Sequence, residues 1–372
     1  ASTASGPSYV IIGGSEVQGY YPNGLIDAGL VWEEVKEFDA GVDFSAFNGR
    51  LGLTADVYSR LSDGQIMSST VPVETGETSI TTNIGSVRNA GIELGFNFGV
   101  VRTKNFTWDV NVNFSRNWSK IKELPNGDDY GKNWFIGERL NVLRDYKHTD
   151  VISDKGVTMI TKDGPINYTL QEVYDKYGWM EGEMGVHDWN NDGKISDDDK
   201  QIFGCTDPTW MGSLSSSMAF KGFDFSFMFT GSAGGTVNLL DYQAWKPFLN
   251  YGNIFEWARG AWAYYPEQNI DTRETATFPR LTTGQNDNNY RSSSFWIRKN
   301  DYIRLQNVEI GYDFAALRAV REAGISKCRL YINALNLLTF SDLLTECKMD
   351  PETAYYGYPA LKSANVGVQI SF

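Results

Sequence analysis

The stretch Phe106–Trp118, FTWDVNVNFSRNW, sets Phe106, Trp108, Val110, Val112, Phe114 and Trp118 on one parity. Thr107, Asp109, Asn111, Asn113, Ser115 and Asn117 fall on the other, broken only by Arg116. Period two marks a strand with one apolar and one polar face. At about 3.3 Å per residue the stretch is about 40 Å long, so a tilt near 45° projects it onto about the thickness of a bilayer core. Tryptophan near its ends suits the two membrane interfaces, because the ring is amphipathic. A long strand of a soluble β-sandwich would show the same parity, so the remaining pattern has to decide.

Tyr9–Ile12 is a short apolar strand candidate. Phe38, Ala40, Val42 and Phe44 alternate with polar or small residues, and after Asn48-Gly49 a second run carries Leu51, Leu53, Ala55 and Val57. Asn-Gly between alternating runs predicts a hairpin. A polar excursion from about Ser59 to Arg88 follows; then Ile92, Leu94, Phe96, Phe98 and Val100 lead through Arg102-Thr103-Lys104 into the opening stretch. From residue 119 to 209 the alternation stops. It returns as Leu214, Met218 and Phe220, turns at Lys221-Gly222, and continues as Phe223, Phe225, Phe227 and Phe229. A second excursion, 232–300, carries helical patterns at Leu239–Trp245 and Ile254–Trp262. Val308, Ile310 and Tyr312 resume the alternation, Ala315–Ala323 predicts a short helix closed by Gly324, and Leu330, Ile332 and Ala334 form another strand. The end reads NVGVQISF, with Val366, Val368, Ile370 and the terminal Phe372 on one parity. Connections thus alternate between short turns and long loops. An all-β transmembrane antiparallel β-barrel places its short turns on the periplasmic side and its long loops outside, and would display such phenylalanine rows to lipid. With about ten strands, the chain predicts part of a larger closed barrel, since an open edge cannot be satisfied in lipid.

Composition narrows the partners. A net charge of -13 argues against non-specific nucleic-acid binding, which needs a basic footprint. No run of about 20 apolar residues provides a transmembrane helix, so membrane insertion would rest on strands. The opening ASTASGPSYVIIGG lacks the charged and apolar regions of a signal peptide. Cys205, Cys328 and Cys347 stand at unrelated spacings, which predicts free thiols, although a Cys205–Cys347 bridge is the conceivable pairing. Catalysis finds little support: His148 and His187 are the two histidines, without a G-x-S-x-G or H-E-x-x-H pattern. Inward carboxylates such as Glu93 and Glu309 line a lumen by default.

One loop, 188–199, has metal-site spacing. Asp188, Asn190, Asp192, the Lys194 carbonyl, Ser196 and Asp199 occupy positions 1, 3, 5, 7, 9 and 12 of a loop with glycine at position 6, an oxygen set suited to a structural Ca2+. Aspartate at position 12 makes it resemble a dockerin-type loop more than an EF-hand. The bland alternative is a solvated acidic turn.

The stretches FPRLTTGQNDNNYRSSSFWIRKNDYIRLQNVEIGYDF (Phe278–Phe314), LYINALNLLTFSD (Leu330–Asp342), DPET (Asp350–Thr353) and GYPALKSANVGVQISF (Gly357–Phe372) resemble the C-terminal barrel of SusC/RagA-type TonB-dependent transporters of Bacteroidota. The similarity extends back to VWEEVKEFDAGVDFSAFNGRLGLTADVYSR (Val31–Arg60), so residues 1–372 are expected to be the C-terminal portion of such a barrel. The resemblance implies a 22-stranded outer-membrane barrel plugged by an N-terminal domain, with Phe372 as the barrel-terminal aromatic. It also implies a SusD-like lipoprotein as partner, energy from the TonB–ExbB–ExbD complex, and import of glycan or peptide oligomers. Neither a plug, a TonB box nor the early strands are recognisable in this sequence. Loop aromatics Trp134, Trp179, Trp245, Trp257 and Tyr356 are the candidates for stacking on substrate. Phe135, Trp262, Tyr264, Tyr265 and Tyr355 have the same character, with loop packing or contact with the lipoprotein as the plainer role. The competing class is a secreted calcium-dependent β-rich glycan-binding protein.

Overall fold

A computed structural model of the chain describes residues 7–20, 25–75, 78–241, 256–282, 288–353 and 358–372. Its long strands are β1 (Glu34–Ala46), β2 (Leu51–Thr70), β3 (Ser79–Arg102), β4 (Phe106–Glu123), β5 (Trp210–Phe220), β6 (Phe223–Ala233), β7 (Tyr302–Asp313), β8 (Lys327–Phe340) and β9 (Ser363–Ser371). They pair in chain order from β9 to β1 as one meander, and the short strand Leu25–Ile26 adds to β3 in parallel. The chain divides into two compact units: Ala1–Asp43 with Thr54–Leu94 and Ser115–Asn141, and Phe44–Leu53 with Gly95–Phe114 and Val142–Phe372.

Register in the second unit explains why these residues form a sheet with two unlike faces. Met218, Phe225, Ile310, Ile332 and Val366 lie side by side across five strands, and the next row is Ser217, Ser226, Glu309, Asn333 and Asn365. Paired residues share a face, so the side-chain period of two sends every member of the first row one way and every member of the second the other. The apolar row is open: Ile310 and Ile332 are 51% exposed and Val366 72%. A soluble sandwich or secreted binding protein would have to cover that belt; lipid covers it in a transmembrane barrel. Bulges fall between Met228 and Phe229 and between Leu305 and Asn307, where Asn336 of β8 takes a φ of 54°, a conformation asparagine tolerates.

In the first unit, β2 and β3 run well past the apolar band. The expected polar excursion Ser59–Arg88 is therefore mostly strand, to Thr70 and from Ser79. Ladder hydrogen bonding needs no apolar side chains, so both faces can be polar where the strands leave the membrane. Gly91 illustrates the fit: a Cβ there would meet the Tyr58 ring at 2.5 Å, and the tyrosine donates to Asn117 Oδ1 at 3.3 Å.

The long excursions are folded bodies as well. Residues 119–209 hold the end of β4, the hairpin Val157–Thr161 with Gly164–Tyr168, the helix Leu170–Tyr177, and two further strand pairs. Ile152, Val157, Met159, Val173, Trp179 and Val186 make a core within them. A second core gathers Met184, Val237, Leu239, Ala258, Phe278, Trp296 and Leu343 from three separate segments. The helical patterns at Leu239–Trp245 and Ile254–Trp262 become 3-10 turns at Leu239–Asp241 and Glu256–Gly260 over their described parts, where Leu239 and Ala258 are drawn into that core. The helix expected at Ala315–Ala323 shortens to Arg318–Glu322 behind a 3-10 turn at Phe314–Ala316.

Candidate functional site

The polar face of β5–β8 carries the ordered chemistry. Arg329 on β8 donates through Nε to Asp224 at 2.9 Å, through an η nitrogen to the same carboxylate, and to Glu309 at 2.6 Å. Asn333 Nδ2 donates to Asn307 Oδ1 at 2.6 Å, and Asn111 and Asn113 of β4 reach Ser215 and Ser213 of β5. One arginine fork thus ties three strands on the face opposite the apolar rows, where a water-filled lumen is the natural medium for charge. The sequence placed Glu309 on this face but gave no sign that Arg329 and Asp224, 105 residues apart, would meet.

Toward the long-loop end, Arg304 on β7 is 2% exposed and bridges Asp350 at 2.7 Å and Glu352 at 2.5 Å; the Tyr302 hydroxyl also donates to Glu352 at 2.6 Å. The DPET stretch is therefore a clamp that ties the last long loop to a strand. Burial alone would raise the Asp350 pKa, but Arg304 and backbone amides at Glu352 and Thr353 hold it below the usual carboxylate value.

In the loop 188–199 the side-chain oxygens accept hydrogen bonds from the loop's own backbone amides. Asp188 accepts from the Asp192 and Gly193 amides at 3.2 and 2.8 Å and from the Tyr177 hydroxyl at 2.9 Å; Asp199 accepts from the Asn190 and Ser196 amides at 3.2 and 2.8 Å. Asp192 accepts from the Lys194 amide and Asn190 accepts from the Asp192 amide. Asp188 and Asp199 are 1% and 0% exposed, and Lys176 Nζ stands 3.7 Å from Asp188. Among the described residues no three His, Cys, Asp or Glu side chains converge into a metal cluster. The donor chemistry, all oxygen with two buried carboxylates beside one lysine, still fits a hard divalent cation.

The candidate aromatics separate. Trp179 is a correction: at 2% exposed it stacks on Tyr177, centroids 4.7 Å apart, and serves as a core residue out of reach of substrate. Its ring fills space over Gly185, where a Cβ would strike it at 2.1 Å. Trp134 is half-buried against Met67, Ile121 and Leu124, with Lys132 Nζ 4.8 Å from its ring centre. Phe135 is buried, and Trp262 packs over Gly182. Trp245, Tyr355 and Tyr356 lie outside the described residues, as does the Trp257 side chain. Tyr264 and Tyr265 are open, with the Arg273 guanidinium 3.7 Å above Tyr264. Tyr130, Tyr174 and Tyr358 are also open, and sequence reasoning passed over them for want of a pattern. Phe372 is 90% exposed beyond β9.

Neither histidine is poised for catalysis. His187 is buried, accepts the Ile160 amide on Nδ1 at 3.0 Å, and is pushed down to about 4 by burial first and by Lys147. His148 meets Ser294 Oγ at 2.7 Å against Phe295, and burial lowers it too. The three cysteines are free.

No protein-family model matches the chain. It is 26% identical to TonB-dependent receptor P3 of Formosa agariphila over 98% of this chain and 36% of the relative, and 30% identical to TonB-dependent receptor SusC of Bacteroides thetaiotaomicron over 77% and 27%. Among solved structures, the RagAB peptide transporter matches all of this chain and 39% of its own at a TM-score of 0.68 and 20% identity. The RagAB peptide importer in its 'open-open' state matches at 0.69 and 19%. The chain thus spans about a third of the length of the curated relatives it matches.

Proposed function

The chain belongs with the SusC/RagA-type TonB-dependent transporters of the outer membrane, and from that premise we propose that it forms part of the wall and outer mouth of an importer of nutrient oligomers, glycan or peptide. The observation that carries this reading is the register: apolar row beside polar row across β5–β9, with the Arg329 fork on the polar side. The apolar rows meet lipid, the polar rows and the fork border the path, and the long loops form the entrance. A SusD-like lipoprotein caps that entrance, with exposed Tyr264 and Tyr265 on loops available to it or to substrate. Energy arrives from the TonB–ExbB–ExbD complex through a plug domain.

The test is uptake by the full-length transporter, expressed in a strain lacking its own copy. Labelled oligosaccharides and labelled oligopeptides are supplied in parallel, with and without TonB. Accumulation of one class that disappears without TonB supports the proposal and names the substrate class. Accumulation of neither, or uptake indifferent to TonB, overturns it.

The loop 188–199 is proposed to hold one Ca2+ through Asp188, Asn190, Asp192, the Lys194 carbonyl, Ser196 and Asp199. The two buried carboxylates support this, because a divalent cation would neutralise charge that Lys176 only partly balances. Its role would be to pin the outer loop.

A further inference from the structure

Along one parity of each of four long strands, the side chains change from apolar to charged or polar. On β4, which passes Phe106, Trp108, Val110, Val112 and Phe114, the same parity continues with Arg116, Trp118, Lys120 and Lys122. On β3 it passes from Ile92 and Ala90 to Arg88 and Ser86; on β2 from Val57 to Ser59, Leu61 and Asp63; and on β1 from Phe38 to Lys36 and Glu34. Four adjacent strands place these residues side by side, and Lys36, Ser59, Leu61, Ser86, Arg88 and Lys122 line one pocket of about 430 Å3.

The charge here runs against that of the chain. Five cations, Lys36, Arg88, Arg116, Lys120 and Lys122, face two acids in a protein of net charge -13. Both acids are engaged by Lys36, which lies 2.9 Å from Asp63 and 3.6 Å from Glu34. Arg88 Nε donates to the Ser59 hydroxyl at 3.1 Å. Among the described residues, no carboxylate lies in ion-pair range of Arg88, Lys120 or Lys122. The Arg116 guanidinium rests 4.5 Å from the centre of the Trp118 ring.

Height fixes the partner. Trp118 stands about 40 Å along β4 from Phe106, about 28 Å once tilted near 45°, which is the far interface of a bilayer core. Tryptophan belongs at that level, and an arginine just beneath it can extend its head toward water. Lys120 and Lys122 then reach the layer of lipid headgroups. We propose that this pocket binds the phosphorylated headgroup of an outer-leaflet lipid, whose acyl chains lie along Phe38, Val57 and Ile92 of the same unit. Phosphate matches the pocket in charge and in its appetite for guanidinium and ammonium donors.

The experiment uses the full-length transporter, delipidated in detergent, with two probes: bisphosphorylated lipid A and the same lipid A after phosphate removal. Binding is read by native mass spectrometry. Wild type should favour the phosphorylated probe, and added salt should weaken that preference. The Lys120→Gln/Lys122→Gln pair, both exposed and outside any packed core, should bind it about 25-fold more weakly, taking about fivefold for each cation near the surface. Affinity for the dephosphorylated probe should not change. Lys104→Gln/Lys221→Gln, both in short turns, removes the same two charges as a control and should behave as wild type. Equal affinity of wild type for both probes overturns the proposal, with no variant needed. Displacement of the lipid by inorganic phosphate at matching concentration overturns it in favour of a free-anion site.

Discussion

Consider Phe229→Lys beside Phe225→Lys and Ser226→Lys, all on β6. Phe229 pairs with Leu214 and Leu305 in the apolar face, and Phe225 lies in the same face between Met218 and Ile310. Ser226 points the other way, beside Glu309. Counting from the turn at Lys221-Gly222, Phe229 lies about 20 Å along the strand and, with a tilt near 45°, about 14 Å into the bilayer, close to its midplane. Phe225 lies only about 5 Å in, by the same rise. A lysine facing lipid costs about 2–4 kcal/mol at the midplane and about 0–1 near an interface. Phe229→Lys should therefore destabilise the full-length transporter by about 2–4 kcal/mol, Phe225→Lys by about 1 kcal/mol, and Ser226→Lys by less than either. The assay is reversible unfolding in lipid vesicles by urea, followed by heat-modifiable electrophoretic mobility. Equal tolerance of lysine at positions 229 and 226 would refute the assignment of faces. Equal cost at 229 and 225 would refute the depth order.

Three further outcomes are expected. Replacing Arg329 by Gln strands Asp224 and Glu309 and should cost about 1–2 kcal/mol after screening by lumen water; the added Asp224→Asn change should recover part of it, a coupling read from a double-mutant cycle on unfolding midpoints. Chelating calcium should lower the melting temperature of the wild type and leave an Asp188→Asn/Asp199→Asn variant unmoved, and an identical melt with and without calcium would remove the ion from the account. His187 binds its proton more weakly folded than unfolded, so the unfolded state takes up protons first as acid is added. Stability is full above about pH 6.5 and falls toward about pH 4, by about 3 kcal/mol for a shift of this size; His187→Gln should flatten that part of a pH-dependent melting profile.

Parity made the sheet legible. Phe106–Trp118 and Phe223–Phe229 announce their faces because lipid on one side and water on the other leave a period of two. The pattern failed where that contrast ends. Between Ser59 and Arg88 the strands continue with polar residues on both faces, so alternation and strand part company. Within 119–209 the strands are short, and Ile152, Met159, Val173, Trp179 and Val186 are too widely spaced for a local period to reveal their shared core. Trp179 looked like a sugar platform because a lone loop tryptophan carries no sign of whether it points in or out; its fate rests on a glycine six residues away and on Tyr177. The Arg329 fork and the Arg304 clamp join residues 105 and 46 positions apart, distances at which no spacing rule operates. The oxygen pattern of 188–199, by contrast, is entirely local.

The loop cores bear on how independently these loops can move. Glu183, 2% exposed in the 119–209 excursion, meets Arg280 of the 232–300 excursion at 2.6 Å, while Asn289 Oδ1 accepts the Met184 amide. Met184 itself lies in the core that Phe278, Trp296 and Leu343 share. Loops fastened this way resist local melting, since fraying one would strip side chains from another's interior. Met184, Phe278 and Leu343 thus sit like stones of one arch: drawing out any one loop would loosen the other two.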